Sequence, residues 1–479
     1  MTTEIELKLR LSPHNLNDQN HPLVSFLNQH AEAVDPQLLV NRYYDTPDQA
    51  LSRARAALRI RRRGDGFEQT LKTAGTSTAG LHQRREWNWP LEGDELDAGV
   101  LRNDDVQACW PGGVEVEQLQ VIFATNFNRR AWRWTLEQDG QRTAAEVVID
   151  LGEVLAGDKS EPLCELELEL LDGDAAGLWQ MAQQLAAHTP LWLSDTSKAE
   201  RGYQLAEKEV QWAASQSPFS DTMALAQVVP LWLQQQLVLF QRALEKTLWQ
   251  HDSEAALVCW QHWLTLRHLP QWCGKIIKRK QTKAMREALD QMQPGLEALS
   301  ALTTASRFFN DGTIRPRWLQ LAQQLRDDAC LGQALLQLAQ WGYQQLPQLS
   351  AQAANGVGVS GETLSHYQHR CWKEVQQALA SPHEHWHVNQ WAELQSQVSR
   401  LQHLHQLRAQ LYSATAAASY PRERRLLSDM LNGQSLIQSL IAQPQLLSAE
   451  QIGQLQQELP YELWGRWLEL NSSLRHSEK

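Results

Sequence analysis

Glu4-Ile5-Glu6-Leu7-Lys8-Leu9 is the stretch on which the fold of the first part of the chain turns. In an extended strand alternate side chains take opposite faces, so Glu4, Glu6 and Lys8 share one face while Ile5, Leu7 and Leu9 share the other. Carboxylates at i and i+2 lie roughly 6–7 Å apart along a strand, near enough for one hard cation to bridge them. Such an ionic row is costly to bury unless water, a metal or an anionic ligand satisfies it. A single strand of this pattern also fits the half-solvated face of an ordinary antiparallel sheet. Repetition decides between the two.

The alternation returns at Cys164-Glu165-Leu166-Glu167-Leu168-Glu169-Leu170, where three glutamates share a face, and in cationic form at Leu58-Arg59-Ile60-Arg61-Arg62-Arg63. Glu68, Thr70 and Lys72 align in the same way, as do Arg84 with Glu86 and Val148 with Asp150. Acids on some strands and bases on others, always on the non-leucine face, predict a closed or strongly curved antiparallel β-barrel with a charged lumen. The apolar faces would pack outward against flanking helices. Hairpin connections are expected at Arg63-Gly64-Asp65-Gly66 and Ala74-Gly75-Thr76. A strand runs into a turn over Asn41–Pro47, further strands are expected over 121–136, 144–154 and 163–171, and helices from Pro22 and over 175–188.

Residues 1–205 therefore read as a strand-rich α+β domain, and 206–222, with Ala214-Ser215-Gln216-Ser217-Pro218, as a linker. Residues 223–479 are rich in Gln, Leu, Ala and Trp at helical spacing. Helices are expected over 223–249, 254–269, 283–305, 317–341, 361–380, 389–415 and 422–440, with a division at 347–360. That pattern predicts an all-α domain of two helical bundles. Trp232, Trp249, Trp260, Trp263, Trp272 and Trp318 read as core filling rather than a base-stacking surface.

A formal net charge of -11 over 479 residues argues against a general nucleic-acid coat and leaves room for a local basic patch. Six scattered cysteines without a C-x-x-C pair read as a reduced, cytoplasmic chain. No signal peptide is read at the start, and no apolar run approaches the roughly 20 residues that span a bilayer. Neither a membrane nor a specific nucleic acid is expected as partner, and nothing in the sequence reports an oligomeric state. No G-x-S-x-G, H-E-x-x-H or P-loop pattern appears, and His82, one step out of parity with Arg84, reads as structural or exposed.

The first 205 residues resemble the CYTH superfamily of triphosphate tunnel metalloenzymes. The likeness rests on ordered blocks: Glu4, Glu6 and Lys8 as E-x-E-x-K; Leu58-Arg59-Ile60-Arg61; Thr70-Leu71-Lys72; Arg84-Arg85-Glu86; Arg129 ahead of Trp132; Asp150-Leu151-Gly152; Glu165–Glu169; and Ser197–Tyr203. The helical remainder is similar to a CHAD domain, an all-helical module associated with polyphosphate, and the pairing resembles bacterial inorganic triphosphatases of the YgiF type. The resemblance implies metal-dependent cleavage of tripolyphosphate to pyrophosphate and phosphate inside the barrel.

Phosphoryl transfer needs charge neutralisation and a positioned water, and arginine's planar fork suits phosphate oxygens. Arg59, Arg61, Arg84 and Arg129 are therefore the expected phosphate ligands, with Lys8, Lys72, Lys198 and Arg201 adding point charge. Some of these bases would instead pair structurally with lumen acids. Mg2+ or Mn2+ prefers carboxylate and water oxygens. Glu4 and Glu6 would hold one ion, while Glu165, Glu167 and Glu169, with Asp150, would hold a second or orient the attacking water.

A basic patch in the helical part comprises Arg267, His268, Lys275, Lys278, Arg279, Lys280, Lys283 and Arg286, a dock for long-chain polyphosphate or a solvated surface. His403, His405, Arg408, Arg422, Arg424 and Arg425 suggest the CHAD basic repeat only faintly. The alternatives are a nucleoside, thiamine or RNA triphosphatase or adenylate cyclase of the same superfamily, and a non-catalytic polyphosphate-binding scaffold.

Overall fold

The structure is a computed structural model that describes residues 2–12, 16–73, 75–78, 80–138, 140–206, 219–274, 276–309, 312–356, 361–379, 382–411 and 420–476. It divides into two compact units, residues 1–216 with 328–336 and residues 217–327 with 337–479. Ten antiparallel strands build the first: β1 (Thr2–Leu11), β2 (Glu32–Asp45), β3 (Ala57–Arg63), β4 (Gly66–Lys72), β5 (Thr76–Thr78), β6 (Leu81–Leu91), β7 (Gln120–Gln138), β8 (Gln141–Ala156), β9 (Lys159–Gly173) and β10 (Leu191–Leu193). Neighbours run β1-β9-β8-β7-β2-β3-β4-β6, and β6 pairs back onto β1, closing an eight-stranded barrel with β10 and β5 as short additions.

Parity sorts the side chains as the alternation requires. Leu7, Leu9, Leu166 and Leu168 are fully buried on the outer face, where α5 (Ala176–Ala186) packs on β1, β8 and β9. Helix α1 (Pro22–His30), with Pro22 in its first turn, covers β2 and β7. On the far wall Leu58, Ile60, Leu71 and Trp87 join Leu51, Leu101 and Val106 from the short helices α2 (Ala50–Arg53), α3 (Ala98–Leu101) and α4 (Asp104–Gln107). The β3–β4 hairpin closes at Gly64-Asp65, Gly64 taking φ 60°, a backbone conformation open to glycine.

One end of the lumen is apolar. Leu39, Phe127, Val154 and Leu163, all of lumen parity, cluster with Leu205 of α6 (Lys198–Leu205), and Tyr43, Phe123 and Ala156 pack with Tyr203. Gly202 lets this helix approach, because a Cβ there would lie 2.0 Å from the Phe123 ring. Ser197 caps the helix by accepting the Glu200 N–H at 3.1 Å.

The described part of the second unit is helical: α7 (Leu225–Trp249), α8 (Ser253–Trp272), α9 (Lys283–Phe308), α10 (Ile314–Arg326), α11 (Ala329–Ala354) from Gln337 onward, α12 (Leu364–Ala378), α13 (Val388–Glu393), α14 (Gln395–Leu411), α15 (Tyr420–Ala442) and α16 (Ala449–His476). Helix α15 packs on α9, α14 and α16. Trp232, Trp260, Trp263 and Trp318 are buried. Several boundaries differ from expectation, and the helix expected over 389–415 divides into α13 and α14 at Leu394. The segment 317–341 is broken at Asp327-Asp328, where Asp328 accepts the Cys330 N–H at 2.8 Å and starts a new helix. That helix then runs through Pro347, carried by buried Leu346 and Leu349, since packing of an apolar face outweighs one missing donor. The expected linker falls largely on residues 207–218, outside the described residues.

Candidate active site

Register brings the charged rows together. Glu4 lies opposite Arg84, Glu6 opposite Glu169, Lys8 opposite Glu167, and Lys72 opposite Glu86. Asp150 faces Arg129 on one side and Glu165 on the other, while Arg61 faces Asn41 and Arg59 faces Tyr43. The lumen holds a cavity of about 740 Å³. Of the predicted acids, Glu4, Glu167 and Glu169 line it; of the predicted bases, Lys8, Arg59, Arg61, Lys72, Arg84, Arg129 and Lys198 do. Glu6, Asp150, Glu165 and Arg201 are buried and stand off its surface.

Most of the bases are already paired. Lys72 Nζ is 2.8 Å from both oxygens of Glu4 and 3.2 Å from Glu86. Lys8 is 2.8 Å from Glu167 and 3.1 Å from Glu6, which Arg84 approaches at 3.5 Å. Arg129 donates twice to Asp150, at 2.8 and 2.7 Å, and once to Glu167 at 3.2 Å. Lys198 lies 2.8 Å from Asp150 and 3.2 Å from Glu167, and also contacts Glu165. Arg201 is held in the closed end, donating to Glu161 at 3.0 and 2.6 Å and to the Pro162 carbonyl at 2.6 Å. Arg59 and Arg61 stand apart: among the described residues neither has a carboxylate within ion-pair distance. Burial and the neighbouring Arg59 and Arg129 charges push the Arg61 guanidinium down to about 9. Burial would lower Arg59, but Tyr43, to which it hydrogen-bonds, and the Glu86 and Glu4 charges raise it, so the two neighbouring guanidiniums are only partly compensated, a combination that suits an anion.

The acids fall into two groups. Asp150, Glu165 and Glu167 offer oxygens within 4.8 Å of one another, all buried. Burial would raise all three, but Arg129 and Lys198 lower Asp150, and Lys198, Lys8 and Arg129 hold Glu167 well below the usual carboxylate range, whereas Glu165, crowded by Glu167, stays raised. Glu169 departs from its expected partners and belongs with the first acids. It lies opposite Glu6, and burial together with the Glu4, Glu6 and Glu86 charges lifts it to about 7. Glu6 moves the other way: burial would raise it, yet Lys8, Arg84 and Lys72 bring it to about 2. A row of hard oxygens carrying more negative charge than its neighbours neutralise suits a divalent cation. Among the described residues Asp150, Glu165 and Glu167 bring oxygens close enough to share an ion, while Glu4, Glu6 and Glu169 sit side by side on β1 and β9.

Sequence reasoning passed over Asn41, Tyr43 and Asp45, although they share lumen parity in one strand. Asn41 Oδ1 accepts from Arg61 Nε at 2.8 Å. Asp45 accepts from the Leu51 and Ser52 N–H groups, each at 2.9 Å, and from the Tyr203 hydroxyl at 2.6 Å, tying the turn after β2 to α6. His82 is buried 3.3 Å from Asp195, and burial lowers its imidazole to about 4, a structural residue.

In the helical unit the basic patch is mixed. Arg267 pairs with Asp290 at 2.7 Å and Lys283 with Glu287 at 3.6 Å. Arg286 donates to the Arg279 carbonyl at 3.2 Å. Burial and Arg267 lower His268 to about 4, so it is neutral at physiological pH. Lys278, Arg279 and Lys280 are exposed in the turn before α9, and Lys275 lies outside the described residues. His403 and His405 are buried and cannot present themselves to a polyanion.

Residues 2–203 match the CYTH domain. Over 211 residues the chain is 34% identical to the inorganic triphosphatase of Haemophilus influenzae, an alignment covering 44% of this chain and 56% of that protein, so the chain spans about half the length of the curated relative it matches. Among solved structures it is similar to a Hippeastrum protein with a dominant triphosphatase activity, at 21% identity and TM-score 0.32, over 42% of this chain and 95% of that one. A Pyrococcus horikoshii protein is 17% identical, with TM-score 0.27, over 42% of this chain and 98% of its own. The family match thus spans the barrel and most of α6, the part of the chain that carries the charged lumen.

Proposed function

We propose that the barrel hydrolyses inorganic tripolyphosphate to pyrophosphate and phosphate with the help of Mg2+ or Mn2+. The observation that carries this reading is the pair Arg59, buried, and Arg61, half-buried, cavity-lining cations without a carboxylate at ion-pair distance among the described residues, in a lumen whose opposite wall is a row of acids. Pure anion binding gains nothing from those carboxylates, whereas phosphoryl transfer uses both signs of charge.

In this account Arg59 and Arg61 take phosphate oxygens, and Lys8, Lys72, Arg84, Arg129 and Lys198 share their charge between the lumen acids and the polyphosphate. Water attacks the terminal phosphorus, the bridging P–O bond breaks, and the bases stabilise charge on the departing pyrophosphate. The β9 carboxylates orient the attacking water. A divalent ion held by Glu4, Glu6 and Glu169 would supply further charge neutralisation at the phosphates. The substrate preference follows the relative named above, and the helical unit is read as a module for longer polyphosphate, consistent with exposed Lys278, Arg279 and Lys280.

The test is turnover of Glu4→Ala and Glu6→Ala at saturating magnesium. Each should lose activity by about a hundredfold or more while keeping its circular dichroism spectrum. Near-wild-type turnover in folded Glu4→Ala would remove the metal assignment.

A further inference from the structure

Asn41 is fully buried in β2 and spans three strands. Its Nδ2 donates to the Thr125 carbonyl on β7 at 3.0 Å, which commits Oδ1 to face β3, where it accepts from Arg61 Nε at 2.8 Å. Of the other lumen arginines, Arg129, Arg201 and Arg84 pair with carboxylates, those of Asp150, Glu161 and Glu6, and Arg59 bonds to the Tyr43 hydroxyl. Arg61 alone among these is anchored by a neutral amide. Holding Nε fixes the plane of the guanidinium without using its terminal amino groups, and Arg61 lines the cavity; those amino groups form the edge that bonds phosphate oxygens in pairs.

Resting on the proposed phosphate-binding function, we propose that Asn41 is a positioning residue that aims Arg61 at the substrate without neutralising it. A carboxylate there would hold Arg61 as well or better but cancel its charge, and would press a negative oxygen against the Thr125 carbonyl. A small apolar residue would leave the charge and release the aim. A neutral acceptor separates the two properties, as the Tyr43 hydroxyl does for Arg59, which explains asparagine opposite Arg61.

The experiment compares wild type, Asn41→Asp and Asn41→Ala by steady-state kinetics with tripolyphosphate and magnesium, and by calorimetric binding of tripolyphosphate in chelator, where turnover does not contribute. Asn41→Asp should raise KM by about tenfold or more with kcat within about threefold, and weaken metal-free binding to match. Asn41→Ala should move KM the same way, less steeply, and it carries the test if the aspartate variant does not fold. A merely structural Asn41 would lower the melting temperature and leave KM and binding in the folded protein unchanged, which overturns the inference. Wild type that neither binds nor cleaves tripolyphosphate would instead overturn the reading of the site itself.

Discussion

Glu6 and Glu169 face each other across two strands and are driven in opposite directions, one to about 2 and the other to about 7. The difference lies in the company each keeps: Glu6 has Lys8 and Arg84 beside it, and Glu169 has mainly other acids. A carboxyl with a folded pKa above its unfolded value keeps a proton that the unfolded chain gives up. Its contribution therefore turns unfavourable as pH rises from about 4.5 to about 7, and stays so above. Glu169→Gln should accordingly stabilise the chelated protein near pH 8 by on the order of 2 kcal/mol and leave it unchanged near pH 5, read as melting temperature. Added magnesium should shrink that difference. An equal effect at both pH values would mean that crowding of acids is not what lifts Glu169.

The same distinction sorts the bases. Arg201 is held by Glu161 and the Pro162 carbonyl in the closed end, so Arg201→Met should cost about 3 kcal/mol of stability in urea unfolding while the folded protein keeps its KM. Arg201 lies on α6 and entered through the family resemblance, whereas parity placed Arg59, Arg61, Arg84 and Arg129 in the lumen, because period two is visible in any strand. It could not tell a compensated base from a free one, since that depends on which strand lies alongside. Glu161 opposite the closed end and Asn41 opposite Arg61 are facts of register, set by hairpins and crossovers distant in sequence.

At the level of elements, the barrel was legible because each charged face carried its own apolar back. The hairpin at Gly64-Asp65 fell where the pattern broke. Helix ends were less legible. Asp328 starts a helix inside what reads as one amphipathic run, and α16 was missed although Leu455, Leu459, Leu463, Trp467 and Leu470 mark its buried stripe. Helix α6 depends on a single glycine: Gly202→Val would drive a side chain into the Phe123 ring and should lower stability by about 2 kcal/mol. Because the helix also carries Lys198, turnover of the folded fraction should fall with it. Retained stability and turnover would show that α6 seats without that close approach.

Buried histidines give the helical unit a pH dependence of its own. Burial, the main cause, lowers His262 to about 4 and His403 to about 3, with the Arg400 charge adding to the latter. Unfolding lets them take up protons, so stability present above about 6.5 is lost as pH falls toward 4, at up to about 1.4 kcal/mol per pH unit for each. His403 packs among the Trp232, Trp272 and Tyr367 rings. His403→Phe should flatten the slope of tryptophan-monitored urea midpoints against pH; an unchanged slope would assign the acid sensitivity elsewhere.

For the whole molecule, an acidic chain carries two concentrations of positive charge, one inside a barrel and one exposed at Lys278-Arg279-Lys280. We propose the second as the dock for long-chain polyphosphate. Reversing all three to glutamate should weaken polymer binding by at least about tenfold and flatten its salt dependence, with tripolyphosphate turnover unaffected. Unchanged polymer binding would leave the patch a solvated surface. No helix among the described residues is long and apolar enough to cross a membrane.

The central claim is that the charged lumen is a metal-dependent catalyst for an inorganic triphosphate, and one assay bears on it most directly: initial rates on tripolyphosphate, ATP and thiamine triphosphate side by side, with magnesium and with chelator. The account predicts fastest turnover of tripolyphosphate to pyrophosphate and phosphate, abolished by chelator. Preference for ATP by a wide margin with cyclic AMP as product, or tripolyphosphate bound but not cleaved in magnesium, would contradict it.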